Sequence, residues 1–151
     1  MEMERVIDKF DGDFGFLSNF SPHSFRASDD VKWLTVEHFY QAMKAVDMVD
    51  RGVIWSAGSP GEAKRLGQTV KLREDWDIDK FEIMQYAVDC KFEQNQHIQE
   101  KLMTLKDYTL IEGNHWHDNI WGDCKCDKCA NILGQNWLGK LLMEIRDDYL
   151  L

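Results

Sequence analysis

Glu37, Gln41 and Lys44 fall four and three residues apart in "TVEHFYQAMK". On a helix that spacing places a carboxylate, an amide and an amine along one line. Such a trio can move a proton, orient a group by hydrogen bonding, or offer a nucleophilic nitrogen. Val36, Phe39, Tyr40, Met43 and Val46 recur beside it at the spacing of a buried helical face. The polar line therefore runs along the rim of an apolar one. It reads either as a solvated edge or as the wall of a pocket. A glutamate in a first helical turn is favoured by the helix dipole alone, which suits the plainer reading. Trp33, Phe39 and Tyr40 make the surroundings strongly apolar, and a carboxylate at such a margin can be tuned for acid–base work.

Two further stretches offer groups of the same kind. In "FGFLSNFSP", Ser18 and Asn19 are framed by Phe14, Phe16, Leu17 and Phe20. Asn, Ser and Pro bend chains, so a turn is the ordinary explanation. The alternative is a pocket wall whose aromatic faces hold a ligand while Ser18 or Asn19 supplies a hydrogen bond. "REDW" contributes Arg73 and Trp76, and "HWHDNIWG" sets Asp118 between Trp116 and Trp121. Asp118 is either a turn residue or a second acid on a loop, where sites are often carried.

The segment "CKCDKC" brings Cys124, Cys126 and Cys129 close enough to share a tetrahedral metal, with His115, His117 or Cys90 to complete it. The spacing lacks the second CxxC of a zinc ribbon, and free thiols are the plainer reading. A zinc held by four protein ligands would have no open position and would be structural.

These residues need a scaffold, and the chain is long enough for one. Its 151 residues, 44% hydrophobic and 30% charged, suit a single globular domain over 1–151. No apolar run reaches membrane-spanning length, and the acidic start "MEMERVIDKFDGDFG" lacks the order of a secretion signal. A cytoplasmic protein without a membrane partner is expected. With 27 acidic against 18 basic residues the formal charge is −9, which disfavours a broad nucleic-acid surface but leaves room for a pocket taking one nucleotide or base.

Helical patterns outweigh strands. Thr35 is a natural N-cap for the Glu37 helix. "SPGEAKRLG" carries Ser59 as N-cap, Pro60 at the first helical position and Glu62 three residues on. A long apolar stripe from Phe81 through Met84, Val88 and Phe92 to Ile98 and Leu102 follows from near Asp77, with an interruption expected at Asn95. The last helix follows Asn136 and aligns Leu138, Leu141, Leu142, Ile145 and Tyr149. "RVIDKF", "FGFLSNF", "VKWL" and "YTLIEG" read as short extended pieces. The expectation is a mainly α, compact single-domain fold with a minor β element.

"FGFLSNFSP", "TVEHFYQAMK", "AGSPGEAKRLG", "REDW", "KFEQN", "DNIWG" and "GQNWLGKLLMEIR" stand in the order and rough spacing of the NADAR, or YbiA-like, family. The resemblance covers Phe14 to Arg146. It implies an N-glycosidase that hydrolyses a ribosyl C1′–N bond on a mostly helical fold. The substrates it implies are ribosylamino-pyrimidine phosphates of early riboflavin biosynthesis or ADP-ribose on guanine bases. The family's glutamate falls on Glu37, its lysine on Lys44, its tryptophan on Trp76 and its aspartate on Asp118. Glu37, Lys44 and Asp118 are then the catalytic candidates. Ser18, Asn19, Phe20, Gln41, Trp76, Trp121 and Asn136 are the substrate-binding ones. No cofactor is needed for such chemistry. The cysteine-rich 121–136 segment departs from the family's glycine-rich pattern. A non-catalytic module binding ADP-ribose or a nucleotide is the rival reading.

Overall fold

The computed structural model describes residues 4–151; the first three residues of the acidic start and of the expected 1–151 domain lie outside the described residues. In chain order the elements are β1 (Arg5–Ile7), a 3-10 helix (Gly12–Leu17), β2 (Phe25–Arg26), β3 (Lys32–Trp33), α1 (Val36–Met43), α2 (Met48–Trp55), α3 (Pro60–Gly67), α4 (Trp76–Glu93), α5 (Gln96–Met103), β4 (Tyr108–Leu110), β5 (Gly113–Asn114), β6 (Asp123–Cys124), a short 3-10 turn (Asp127–Cys129) and α6 (Trp137–Tyr149). Helix takes about 49% of the chain and strand about 11%, so helix dominates but the fold is mixed α/β rather than mainly α. The strands pair two by two: β1 with β4 in parallel, β2 with β3 antiparallel, and β5 with β6 in parallel. Among the described residues no helix is long and apolar enough to cross a membrane.

The chain divides into two compact units. Residues 19–96 form one. Here α1 packs on α2, α3 and α4, and the reason is its composition: Val36, Phe39, Tyr40 and Ala42 are all buried. Thr35 caps it as expected, its side chain accepting from the His38 N–H. Ser59 likewise accepts from the Glu62 N–H at the start of α3. Glu62 Oε2 in return accepts from the Gly58 N–H at 2.9 Å, so two donors at this helix start are satisfied reciprocally. The helix α4 stops at Glu93, and Asn95 then donates to the carbonyls of Lys91 and Ser24, which accounts for the break before α5.

Two local expectations fail. "FGFL" is a 3-10 helix, not an extended piece: the Phe14 N–H turns back to the Asp11 carbonyl and buries the adjacent Phe16 and Leu17. Val46 lies beyond the end of α1 and is half exposed. The helix α2, capped by Asp47, has no counterpart in the apolar pattern because Met48 and Val49 point outward and only Ile54 is buried.

The second unit comprises the chain up to Ser18 and from His97 onward. It contains the β1–β4 and β5–β6 pairs, with α6 against β4. The buried Arg146 of α6 ties the two elements, donating from Nη1 to the carbonyls of Tyr108 at 2.6 Å and Leu105 at 2.8 Å.

Candidate active site

In the 19–96 unit the polar line of α1 is buried at Glu37 and Gln41 and half-buried at Lys44. Glu37 is 6% exposed and Gln41 4%. Gln41 Nε2 donates to Glu37 Oε1 at 2.7 Å. That bond fixes the amide's orientation, because only its NH2 end can face a carboxylate. Its Oε1 end, buried with no hydrogen-bond partner among the described residues, lies against Gly67 of α3, where any Cβ would overlap it. Gln41 is thus wedged between α3 and Glu37. Its geometry is that of a positioning residue for the carboxylate.

Glu37 is held from the backbone as well. Its N–H, one of the first-turn donors with no intrahelical partner, donates to the Asn19 carbonyl at 3.1 Å. The Asn19 side chain points elsewhere, its Nδ2 to the Met84 sulfur at 3.5 Å. Phe20, the next residue, is 41% exposed. The motif around Asn19 therefore contributes main chain to the Glu37 site.

One turn further, Lys44 caps the C-terminus of α1. Its Nζ stands 5.4 Å from the centroid of the Tyr40 ring. Burial pushes its ammonium down from the ordinary lysine value; the Glu37 carboxylate opposes this, and Lys64 and Lys80 add to it. "REDW" holds this end in place. The Arg73 N–H donates to the Lys44 carbonyl at 2.8 Å, and Trp76 packs its ring on Tyr40 with centroids 5.2 Å apart. At 5% exposure Trp76 is a wall of this site and a support for Tyr40. A ring so covered offers little face for a base to stack on, and serves instead to seal this side of the site.

His38, next to Glu37, takes no catalytic geometry. Its Nε2 lies 3.0 Å from the Ala57 carbonyl and so carries the proton; Nδ1 accepts from Thr35 Oγ1 at 2.8 Å. It pins the helix start.

The other unit holds Ser18, Asp118, Trp121, Asn136 and the cysteine loop. The Ser18 N–H closes the first 3-10 helix on the Gly15 carbonyl. Asp118 sits in a turn built by Asn114: Asn114 Oδ1 accepts from the N–H groups of Trp116 and Asp118, and Nδ2 donates to the Asp118 carbonyl at 2.8 Å. Asp118 Oδ1 in turn accepts from the N–H groups of Ile120 and Trp121. One carboxylate oxygen is therefore committed to the turn, and any proton transfer would fall to Oδ2.

Asn136 has the left-handed conformation, φ 50°, that asparagine tolerates. Nδ2 donates to the Leu110 carbonyl and Oδ1 accepts from the Glu112 N–H, each at 2.9 Å. Both ends of the amide thus clamp β4 to the start of α6, which argues against the substrate contact expected of it. Asn114 and Asn119 are the residues that sequence reasoning passed over; an asparagine bonding its own loop has no spacing signal.

His117, Cys124, Cys126 and Cys129 converge, their ligand atoms all within 4.8 Å of one another. Cys90, the other cysteine, is buried on α4 in the 19–96 unit. Burial works against ionisation of Cys124, but hydrogen bonds from the Cys126 backbone and thiol, the His117 backbone and the Cys129 thiol bring it down to about 7. Burial and the Cys124 thiolate push Cys129 up instead.

Comparison with known proteins places this arrangement. The NADAR domain profile matches residues 7–149, spanning both units. An N-glycosidase of Nostoc punctiforme is 43% identical over 140 residues, covering 89% of this chain and 85% of that one. The N-glycosidase YbiA of Escherichia coli is 35% identical, covering 89% and 81%. The chloroplastic riboflavin biosynthesis protein PYRR of Zea mays is 36% identical across 91% of this chain, but that span is 24% of the maize protein. The NMR structure of E. coli YbiA superposes with a TM-score of 0.84 at 31% identity, covering 99% of this chain and 88% of that one.

Proposed function

The chain belongs to the NADAR domain family, and from that footing we infer that it is an N-glycosidase hydrolysing the ribosyl C1′–N bond of a small ribosylamino-pyrimidine phosphate. One observation carries the reading: Glu37 is a buried carboxylate oriented at 2.7 Å by Gln41, with the Lys44 amine close enough to feel its charge. Breaking a ribosyl C–N bond builds positive charge on the sugar, and a fixed carboxylate in a dry site stabilises it or activates water. Gln41 keeps that carboxylate in place without competing for the proton.

Lys44 adds a second route. A lysine whose pKa is lowered by burial has more of its neutral, nucleophilic form at a given pH. In the ring-opened substrate, C1′ is doubly bonded to the base nitrogen. Attack by Nζ forms a lysine–C1′ imine and expels the base as its free amine; water then cleaves that imine, returning the lysine and the ribose aldehyde. Side chains and water suffice for both routes, so no cofactor is invoked. Asp118 keeps the catalytic role that the family resemblance implies, with Oδ2 as the oxygen left for proton transfer because Oδ1 accepts from the Ile120 and Trp121 N–H groups; Asp118→Asn, expected to lower turnover, is the test.

The names of the relatives favour the pyrimidine substrate over ADP-ribosylated guanine, since two carry riboflavin biosynthesis in their names. We read the two units as one domain, because the profile runs through both. A cytoplasmic setting belongs to the same reading, supported by four unpaired cysteines in a thiol-bearing chain. The deciding experiment incubates the purified chain separately with a ribosylamino-pyrimidine phosphate and with ADP-ribosylated guanine and follows the released base. Release from the first, lost in Glu37→Gln, supports the assignment. Release from the guanine substrate alone redirects the substrate class, and tight binding of either without release makes the chain a binding module.

A further inference from the structure

We propose that His117 Nδ1 and the sulfurs of Cys124, Cys126 and Cys129 bind one zinc ion, and that this structural site holds the turn carrying Asp118. The geometry is the first support. A regular tetrahedron of zinc bonds places nitrogen and sulfur ligands about 3.5 Å apart, from Zn–N near 2.0 Å and Zn–S near 2.3 Å. Here Nδ1 lies 3.3 Å from the Cys126 sulfur, 3.3 Å from that of Cys129 and 3.9 Å from that of Cys124. The imidazole nitrogen is thus near ligand spacing from all three sulfurs, and all four atoms lie within 4.8 Å of one another.

The loop is shaped to bring them there. Cys124 ends β6, Cys126 leads into the 3-10 turn Asp127–Cys129, and the Cys129 N–H closes that turn on the Cys126 carbonyl at 3.1 Å. His117 holds φ at 69°, a left-handed conformation that a non-glycine residue adopts at a cost and that a ligand bond would offset. Asn119 supports the sulfurs: its Nδ2 donates to Cys129 at 3.5 Å, while its Oδ1 accepts from the Cys124 N–H at 2.9 Å. Such outer hydrogen bonds are typical of thiolate–metal sites, where they orient the ligands. Three thiolates and an imidazole select a borderline-soft cation over magnesium or calcium, and four protein ligands leave no position for substrate.

The site's consequence lies in what flanks it. Asp118 is bracketed in sequence by a ligand, His117, and by Asn119, which bonds two of the cysteines. The ion therefore fixes both neighbours of Asp118, while Asn114 fixes its backbone. The metal acts as a clasp on the Asp118–Trp121 turn, not as a reagent.

The full chain, purified without chelator, should contain one equivalent of zinc by elemental analysis. Exchanged with cobalt, it should show the intense thiolate charge-transfer and visible bands of tetrahedral coordination. His117→Ala should lower the intensity of the visible bands and weaken metal retention at least tenfold; Cys90→Ser should leave both unchanged. Amide exchange at Asp118–Trp121 should quicken on metal removal while that of α1 does not. Should a cysteine variant fail to fold, the wild-type cobalt spectrum and the protection of three thiols from alkylation by added zinc still decide the matter. A wild-type protein that takes up neither metal overturns the proposal, as does a cobalt spectrum unaltered in His117→Ala.

Discussion

Gln41 reaches back one helical turn to bond Glu37 at 2.7 Å, and the far side of its amide rests on the bare Cα of Gly67. A glutamine in that wedge has little freedom, so the carboxylate it holds is preorganised before any substrate arrives. Preorganised charge is what stabilises a developing cation in a water-poor site.

Glu37→Gln should therefore keep the fold, because the new amide can still accept from Gln41, yet lower kcat by about a hundredfold or more. Gly67→Ala should act at a distance: its Cβ would displace the Gln41 oxygen, costing roughly 1–3 kcal/mol of stability as overpacking and loosening Glu37. Steady-state kinetics check both. Normal kcat in Glu37→Gln would remove that residue from the chemistry, and a stable, fully active Gly67→Ala would remove Gln41 from its positioning role.

Borohydride added during turnover should trap a ribosyl adduct on Lys44, and Lys44→Ala should abolish it. Because burial lowers this lysine's pKa, the rising limb of kcat against pH should lie below the ordinary lysine value of 10.5. The neutral amine is the reactive form, so activity climbs as pH rises toward that lowered pKa. Intact-mass measurement of the quenched protein reads the adduct directly; an unmodified chain under steady turnover leaves Lys44 with an electrostatic part only.

How far the sequence disclosed all this depends on the kind of force at each place. The caps at Thr35 and Ser59 were legible because a side chain bonding a helix start has a fixed offset. The line of Glu37, Gln41 and Lys44 was legible as a line, but its burial was not, since a helix does not announce which partners will cover its flank. The helix α3 covers it, and only the missing Cβ of Gly67 makes room. Trp76 and Asn136 are placed at the substrate through the family resemblance, and their packing on Tyr40 and clamping of Leu110 and Glu112 have no signal in the sequence. The cysteines gave their own proximity away, and choosing His117 over His115 took the loop's left-handed turn.

Asn136→Leu should destabilise the chain by about 2–4 kcal/mol, since the substitution leaves the Leu110 carbonyl and the Glu112 N–H without their partner in a part-buried place. Denaturant midpoints of the variant and the parent check this. In the protein that remains folded, KM should be unchanged; a raised KM at normal stability would return Asn136 to substrate binding.

Lys91 is 1% exposed, and burial pushes its pKa down to about 7 from 10.5. Below about 7 the folded and unfolded states both carry the proton, and folding bears the whole cost of burying an ammonium. Between about 7 and 10.5 the unfolded chain still holds a proton that the folded one has released, so stability rises with pH across that window. The melting temperature of the parent should therefore climb relative to Lys91→Met from pH 7 toward pH 10. Parallel curves for the two proteins would mean that Lys91 stays charged where it lies.

Substrate size is set by charge and by the site together. The chain carries 27 acidic and 18 basic residues, and a surface of that balance repels a phosphate backbone at long range. On the proposed function, recognition would rest on one ribosylated base held beside Glu37 and Lys44. A small ribosylated nucleotide should accordingly be cleaved about as well as the same group on a long strand, with only a shallow dependence on salt. A protein that grips many phosphates loses affinity steeply as salt rises, because each contact releases a counterion. Comparing kcat/KM for both forms at low and physiological salt separates the cases. Much faster cleavage on the strand, falling sharply with added salt, would show that a basic track guides the substrate and that Glu37 and Lys44 are only the end of it.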